Sequence, residues 1–232
     1  MAWDLNELRG EVTRTQGKPA SFRLSKILDS VVERQEFARY HYHEAKSCMI
    51  RFMDESFPEM ELLKLSIARS GEAREDLSEQ KFKARANIVA CVQSIHAISD
   101  ILSHATYYAL NLTNAKNDRE ITVHNVVRWL DQVTDCKALR DHLIELLTHE
   151  DYKYIRALAN HSKHRSIVSL GLSFNMLKTG NEMKELVFPS FSYEGKDYPQ
   201  RKVFELLESE FDRQGKLVMG IGAAINALAK NR

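Results

Sequence analysis

Glycine and proline are scarce in this chain, 9 and 4 among 232 residues. So few breakers exclude a turn-rich, sheet-dominated fold and favour long helices. Cysteine is scarcer still: Cys48, Cys91 and Cys136 are odd in number, far apart and form no Cys-x-x-Cys. That pattern excludes a disulfide framework and a cysteine zinc site, and it fits a reducing cytoplasm. Neither sign of charge dominates, since the formal net charge is +1. Any attraction for nucleic acid or an anionic membrane must therefore be local. Asp4, Glu7 and Arg9 stand where a signal peptide needs an apolar core. Low-complexity tracts and internal repeats are absent, so the sequence reads as a soluble, cytoplasmic protein with a substantial core.

One long stretch lacks almost all charge. Residues 86–115 contain no Pro, Gly, Lys, Arg or Glu, and Asp100 is their one charged residue. A surface helix carries a charged face opposite its apolar stripe, so this stretch is expected to be a buried central helix. Its polar content argues against a membrane span. Helical spacing puts Gln93, His96, Asp100, Ser103, His104, Tyr107 and Asn111 on one narrow side. His96, Asp100 and His104 follow one another by single turns. Two readings of the stripe stand: a solvent-touching edge, or an internal polar site in which the carboxylate needs a partner.

Around it the chain reads as mainly α. Residues 1–20 look like a loosely attached arm, and 21–232 like a single helical domain. Ser21 is placed to cap a long helix from about Phe22 to Glu55, followed by shorter helices over 59–70, 122–133 and 134–149. The charged run 72–80 reads as a connector or an exposed helical start. Residues 166–194 alternate and are expected to form a small β-hairpin with its turn at 178–181. Pro189 implies an edge position there. Pro199 then opens the last helix, in which Gly220 and Gly222 serve close packing. The predicted fold is a helical bundle around a buried central helix, with the hairpin inserted before the C-terminal helix.

The stretch 152–165, YKYIRALANHSKHR, carries the chemistry. On a helix Tyr154, Ile155, Leu158 and Ala159 form the apolar side, and Arg156, Asn160 and Lys163 line up opposite with His164 on their flank. His161 sits about 140° round from Arg156. Such a cationic surface suits an anion, with arginine forking onto phosphate and histidine exchanging protons near neutral pH. Basic residues near a helix C-terminus are also favoured by the helix dipole alone.

Arg156-Ala-Leu-Ala-Asn-His161 resembles the Arg-x4-6-His motif of HEPN domains. The layout of residues 22–165 is similar too: a long early helix, a long buried helix, then the motif helix. Many HEPN proteins are metal-independent ribonucleases of toxin–antitoxin, abortive-infection or RNA-decay systems, and they act as homodimers. The resemblance implies that Arg156 holds the scissile phosphate and that His161 is general acid or base, with His164 an alternative. His96, Asp100, His104, Asn160 and Lys163 would support them, with no cofactor or metal. RNA or a nucleotide, a second copy of the chain, and an antitoxin or regulatory protein are the implied partners. Ala157 departs from the pattern, since nucleolytic members usually carry a polar residue there. A non-catalytic interaction or nucleotide-binding module of the same fold therefore stays open, and so does a metal-dependent enzyme using His96, Asp100, His104 and His164.

Overall fold

The computed structural model describes residues 3–175, 177 and 184–231. Among them the helices run α1 Leu5–Gln16, α2 Lys18–Met53, α3 Glu59–Ile67, α4 Glu72–Ala109, α5 Val123–Leu130, α6 Lys137–Thr148 and α7 Glu150–His164. Strands β1 Gly171–Phe174, β2 Lys184–Phe188, β3 Phe191–Tyr193, β4 Lys196–Tyr198 and β5 Arg201–Lys202 then precede α8 Val203–Lys230. This is the mainly helical architecture expected, with a long central helix and a small β region before the last one. Met1–Glu36, Ser94–Lys153 and Glu210–Arg232 form one compact unit, and Phe37–Gln93 and Tyr154–Ser209 form a second.

The bounds of α4 differ from expectation at both ends, for local reasons. It starts at Glu72, directly after Gly71 at φ 123, with Glu72 and Glu75 in its first turn where the dipole favours acids. The charged run is thus helix, not connector. At the other end Asn111 takes φ 49, and the Leu112 and Asn111 amides donate to the carbonyls of Tyr107 at 3.0 Å and Tyr108 at 3.3 Å. That pair of bonds is a Schellman stop, so residues 110–115 leave the helix. Among the described helices α4 is long and apolar enough by composition to cross a membrane, and its polar residues do not remove it from that class. Yet 61% of its most apolar window is buried within the protein, as in a core helix.

In the first unit, the expected arm is structured. Asp4 caps α1 by accepting from the Glu7 amide at 2.9 Å, and Leu8 and Val12 are fully buried. Ser21 caps nothing, because α2 has already begun at Lys18; its hydroxyl donates to the Arg9 carbonyl at 3.0 Å. Leu24, Leu28, Ile98, Leu102, Leu143 and Ile221 meet in the core. Each such side chain withdrawn from water contributes about 1.5–3 kcal/mol. Thr122 caps α5 as its position predicts. Among the glycines the closest approach is at Gly222, where an added Cβ would lie 2.1 Å from the Trp3 ring. Trp3 Nε1 donates to Asn226 Oδ1 at 3.1 Å, and Asn226 Nδ2 donates to the Asp4 carbonyl and to Glu7, each at 2.8 Å.

In the second unit, β1, β2 and β5 form one antiparallel sheet in that order, and β3 and β4 form a hairpin of their own. The second arm of the expected hairpin is therefore two strands, β2 and β3, divided at Pro189, which cannot donate to a ladder. β2 is the central strand and Pro189 lies just beyond it, so the expected edge position is not found. The β3–β4 turn is Glu194–Gly195 at φ 51 and 75. Two successive positive φ values suit a tight two-residue hairpin. The expected turn at 178–181 lies outside the described residues.

Candidate functional site

α7 opens with Glu150 and Asp151 and closes with His161, Lys163 and His164, the charge order its dipole favours. Tyr154, Ile155, Leu158 and Ala159 are buried, as their spacing predicts. Ala157 is only 3% exposed. A polar side chain there would lose its water. Arg156 and Asn160 are half-buried one turn apart, while Lys163, His164 and Arg165 are exposed. Neither Arg156 nor Lys163 has an ion pair or hydrogen bond among the described residues. A half-buried guanidinium with no carboxylate is disposed to take an anion.

His161 is held more firmly than its helical position alone implies. Its Nδ1 lies 2.5 Å from the Ser166 carbonyl oxygen. A carbonyl only accepts, so Nδ1 carries the hydrogen, and Nε2 is the basic atom of the neutral ring. The His161 carbonyl in turn accepts from the amides of Arg165 at 2.9 Å and Ser166 at 3.1 Å, which closes the end of α7. The imidazole meets Phe191 and Tyr193 edge-on, with centroids at 5.7 and 6.0 Å. Arg165 lies over the Tyr193 ring at 5.1 Å. Beneath them Tyr154 donates to the Pro199 carbonyl at 2.8 Å and packs against Phe191 and Tyr198. Burial pushes the Tyr154 hydroxyl up to about 12, against the opposing pull of Arg201.

Arg85 is the cation that the sequence reading missed. It is half-buried, and its Nη2 reaches the Ile167 carbonyl at 3.4 Å while Nε is buried without a partner. His161 and Arg85 thus bind consecutive carbonyls of the segment leaving α7. Helical periodicity places a residue on its own helix but cannot name the segment opposite it. Gln93, on the polar stripe of α4, donates to the Ala159 carbonyl at 3.0 Å. His161 and Arg85 flank the same outgoing segment, and the imidazole lies against two aromatic rings, one of them under Arg165. Such a set can bind an anion and exchange a proton.

The other expected supporting residues belong to the first unit. His96 is buried with its ring parallel to that of Tyr152 at 6.4 Å, and His104 packs on Tyr108 at 6.3 Å. Ser99 Oγ donates to the His96 carbonyl and so accepts from the Tyr152 hydroxyl at 2.5 Å. Asp100, between the two histidines, is exposed, and its carboxylate has no partner among the described residues. The stripe therefore does not bury its carboxylate. Nor do His96, Asp100, His104 and His164 form a metal set. Among the described residues the group of suitable ligand atoms within 4.8 Å of one another is His149, Asp151 and Glu210.

That trio has a competing partner. Glu210 is fully buried, and Arg213 holds both its oxygens, Nε to Oε2 at 2.8 Å and Nη2 to Oε1 at 2.7 Å. Burial pushes the Glu210 carboxyl up, and Arg213 opposes the shift. Arg213 also donates to the carbonyls of Glu145 and Leu146 near the end of α6. The chemistry of this cluster is a buried ion pair within α8, whose Arg213 also ties that helix to α6.

Comparison of the chain with protein-family models, with curated proteins and with solved structures finds no match.

Proposed function

We propose that this chain is a HEPN-like cytoplasmic protein acting on RNA, as a metal-independent endoribonuclease of a toxin or defence system. The observation that carries the reading is His161: its Nδ1 is committed to Ser166, its Nε2 is left basic, and it lies against Phe191 and Tyr193, the latter covered by Arg165. In this reading Arg156 holds a phosphate oxygen. Nε2 of His161 removes the 2′-hydroxyl proton, and the freed oxygen attacks the adjacent phosphorus. The 5′-oxygen leaves with a proton from a second imidazole, supplied by His164 or by the other copy of a homodimer. An antitoxin or other regulatory protein would act by covering this surface.

A non-catalytic RNA- or nucleotide-binding module of the same fold is the second reading. It is favoured by the structural work His161 already performs in closing α7. One experiment separates the two: structured RNA is incubated in EDTA with wild type, Arg156→Ala and His161→Ala. Cleavage by wild type alone supports the nuclease. Binding without cleavage supports the module, and neither binding nor cleavage removes both.

A further inference from the structure

Away from α7, a cavity of about 370 Å³ in the second unit is lined by residues of α2, β2 and the start of α8. Its apolar wall is Met49, Ile50, Met53, Leu186 and Phe204, and Lys184 also lines it. Lys184 is only 3% exposed. Its Nζ donates to the carbonyls of Asp54 at 2.5 Å and Phe57 at 2.6 Å. An ammonium has three hydrogens, and the third has no acceptor among the described residues.

The acids that line the cavity each have another hydrogen-bond or ion-pair partner, and the Asp54 carboxylate, held low first by Ser56, is also drawn down by the Lys184 charge. The Asp54 carboxylate accepts from the Ser56 amide at 2.8 Å and its hydroxyl at 2.5 Å. Glu185 and Glu205 both pair with Lys202. Lys46, also at the wall, lies against the Tyr42 ring at 5.7 Å. The buried Lys184 charge is offset in part by Asp54 and by the Phe57 ring at 5.7 Å, and an anion on its third hydrogen would add a charge-assisted bond. The volume falls within the range of about 300–1,000 Å³ typical of small-molecule sites.

We propose that this cavity binds an amphipathic monoanion, a carboxylate on a short alkyl chain. The head would lie on Nζ of Lys184 and the tail against Met49, Met53, Leu186 and Phe204. With two hydrogens on carbonyls and one without an acceptor among the described residues, the ammonium suits a single carboxylate oxygen better than a phosphate, which would ask for more donors.

The test is calorimetric titration of the intact protein with octanoate, and with octanol as the uncharged equivalent. Octanoate is expected to bind one per chain and at least about tenfold more tightly than octanol, the gain of a charge-assisted hydrogen bond. Lys184→Met should erase that preference. Met53→Glu, half-buried at the last residue of α2, should abolish octanoate binding with the helical circular dichroism intact. It decides the matter if Lys184→Met fails to fold. Equal affinity for octanoate and octanol, or no binding of octanoate by wild type, would overturn the proposal and leave Lys184 as a cap for two loop carbonyls.

Discussion

The imidazole of His161 and the carbonyl of Ser166 are 2.5 Å apart across five residues of chain. This contact fixes which ring nitrogen is basic, and it also ties down the segment that follows α7. Structural and chemical roles of His161 can be parted by choosing a side chain that donates but has no basic nitrogen.

His161→Asn keeps an N–H within reach of Ser166, whereas His161→Ala does not. The alanine variant should lose about 0.5–1.5 kcal/mol of stability in urea melts, as for a single hydrogen bond. The asparagine variant should melt close to wild type and, if the proposed nuclease reading holds, show no RNA cleavage. Cleavage retained by His161→Asn would transfer the proton-carrying role to His164.

Trp3 occupies the space that a side chain at position 222 would fill. Gly222→Ala should therefore cost about 1–3 kcal/mol by overpacking, unless Trp3 is displaced. Trp3→Ala should be destabilising alone, and Gly222→Ala should cost little in the Trp3→Ala background. Strictly additive costs across that double-mutant cycle would mean the two residues do not share the space.

Glu210 depends on Arg213 for its charge. Arg213→Met removes the guanidinium and leaves the buried carboxylate with only His149, 3.9 Å away, a loss of about 3–5 kcal/mol. Replacing both, Arg213→Met with Glu210→Met, should recover most of it. Chemical denaturation of the three variants measures both steps.

Tyr154 gives a pH signature. Its hydroxyl is raised by burial to about 12, against roughly 10 in an unfolded chain. Between those values the unfolded state has released the proton that the folded state still holds, so stability falls as pH rises through that window. Below about 10 the group contributes no slope. Tyr154→Phe should flatten the alkaline fall in melting temperature, and an unchanged slope would assign the fall to other groups.

Much of the helical framework was legible from periodicity and caps: α3, α5, α6 and α7 start within a few residues of where their signals lie. The errors came from what lies outside a helix's own pattern. The stop at Asn111 is a backbone conformation that a polar residue permits but does not announce. Leu8 and Val12 were hidden because a short segment with few apolar residues looks like an arm until Trp3 and Gly222 are seen together. In the candidate site, Arg156 and His161 were visible as a motif, while Arg85 and the ring pair Phe191–Tyr193 come from distant segments. Lys184 left no signal at all, since its burial is decided by the carbonyls of Asp54 and Phe57.

The seating of Trp3 and Glu7 against Asn226, and of Lys230 against Glu7 at 2.5 Å, bears on how the chain is made. A ribosome delivers residues in order, and the segments of the second unit are all out before the stretch beginning at Glu210 appears. Until that stretch arrives, Leu8, Leu24 and Leu102 lack the wall that α8 supplies. The first unit must wait, half-built and sticky, for the translating ribosome to finish α8, and it is there that a chaperone would be needed most.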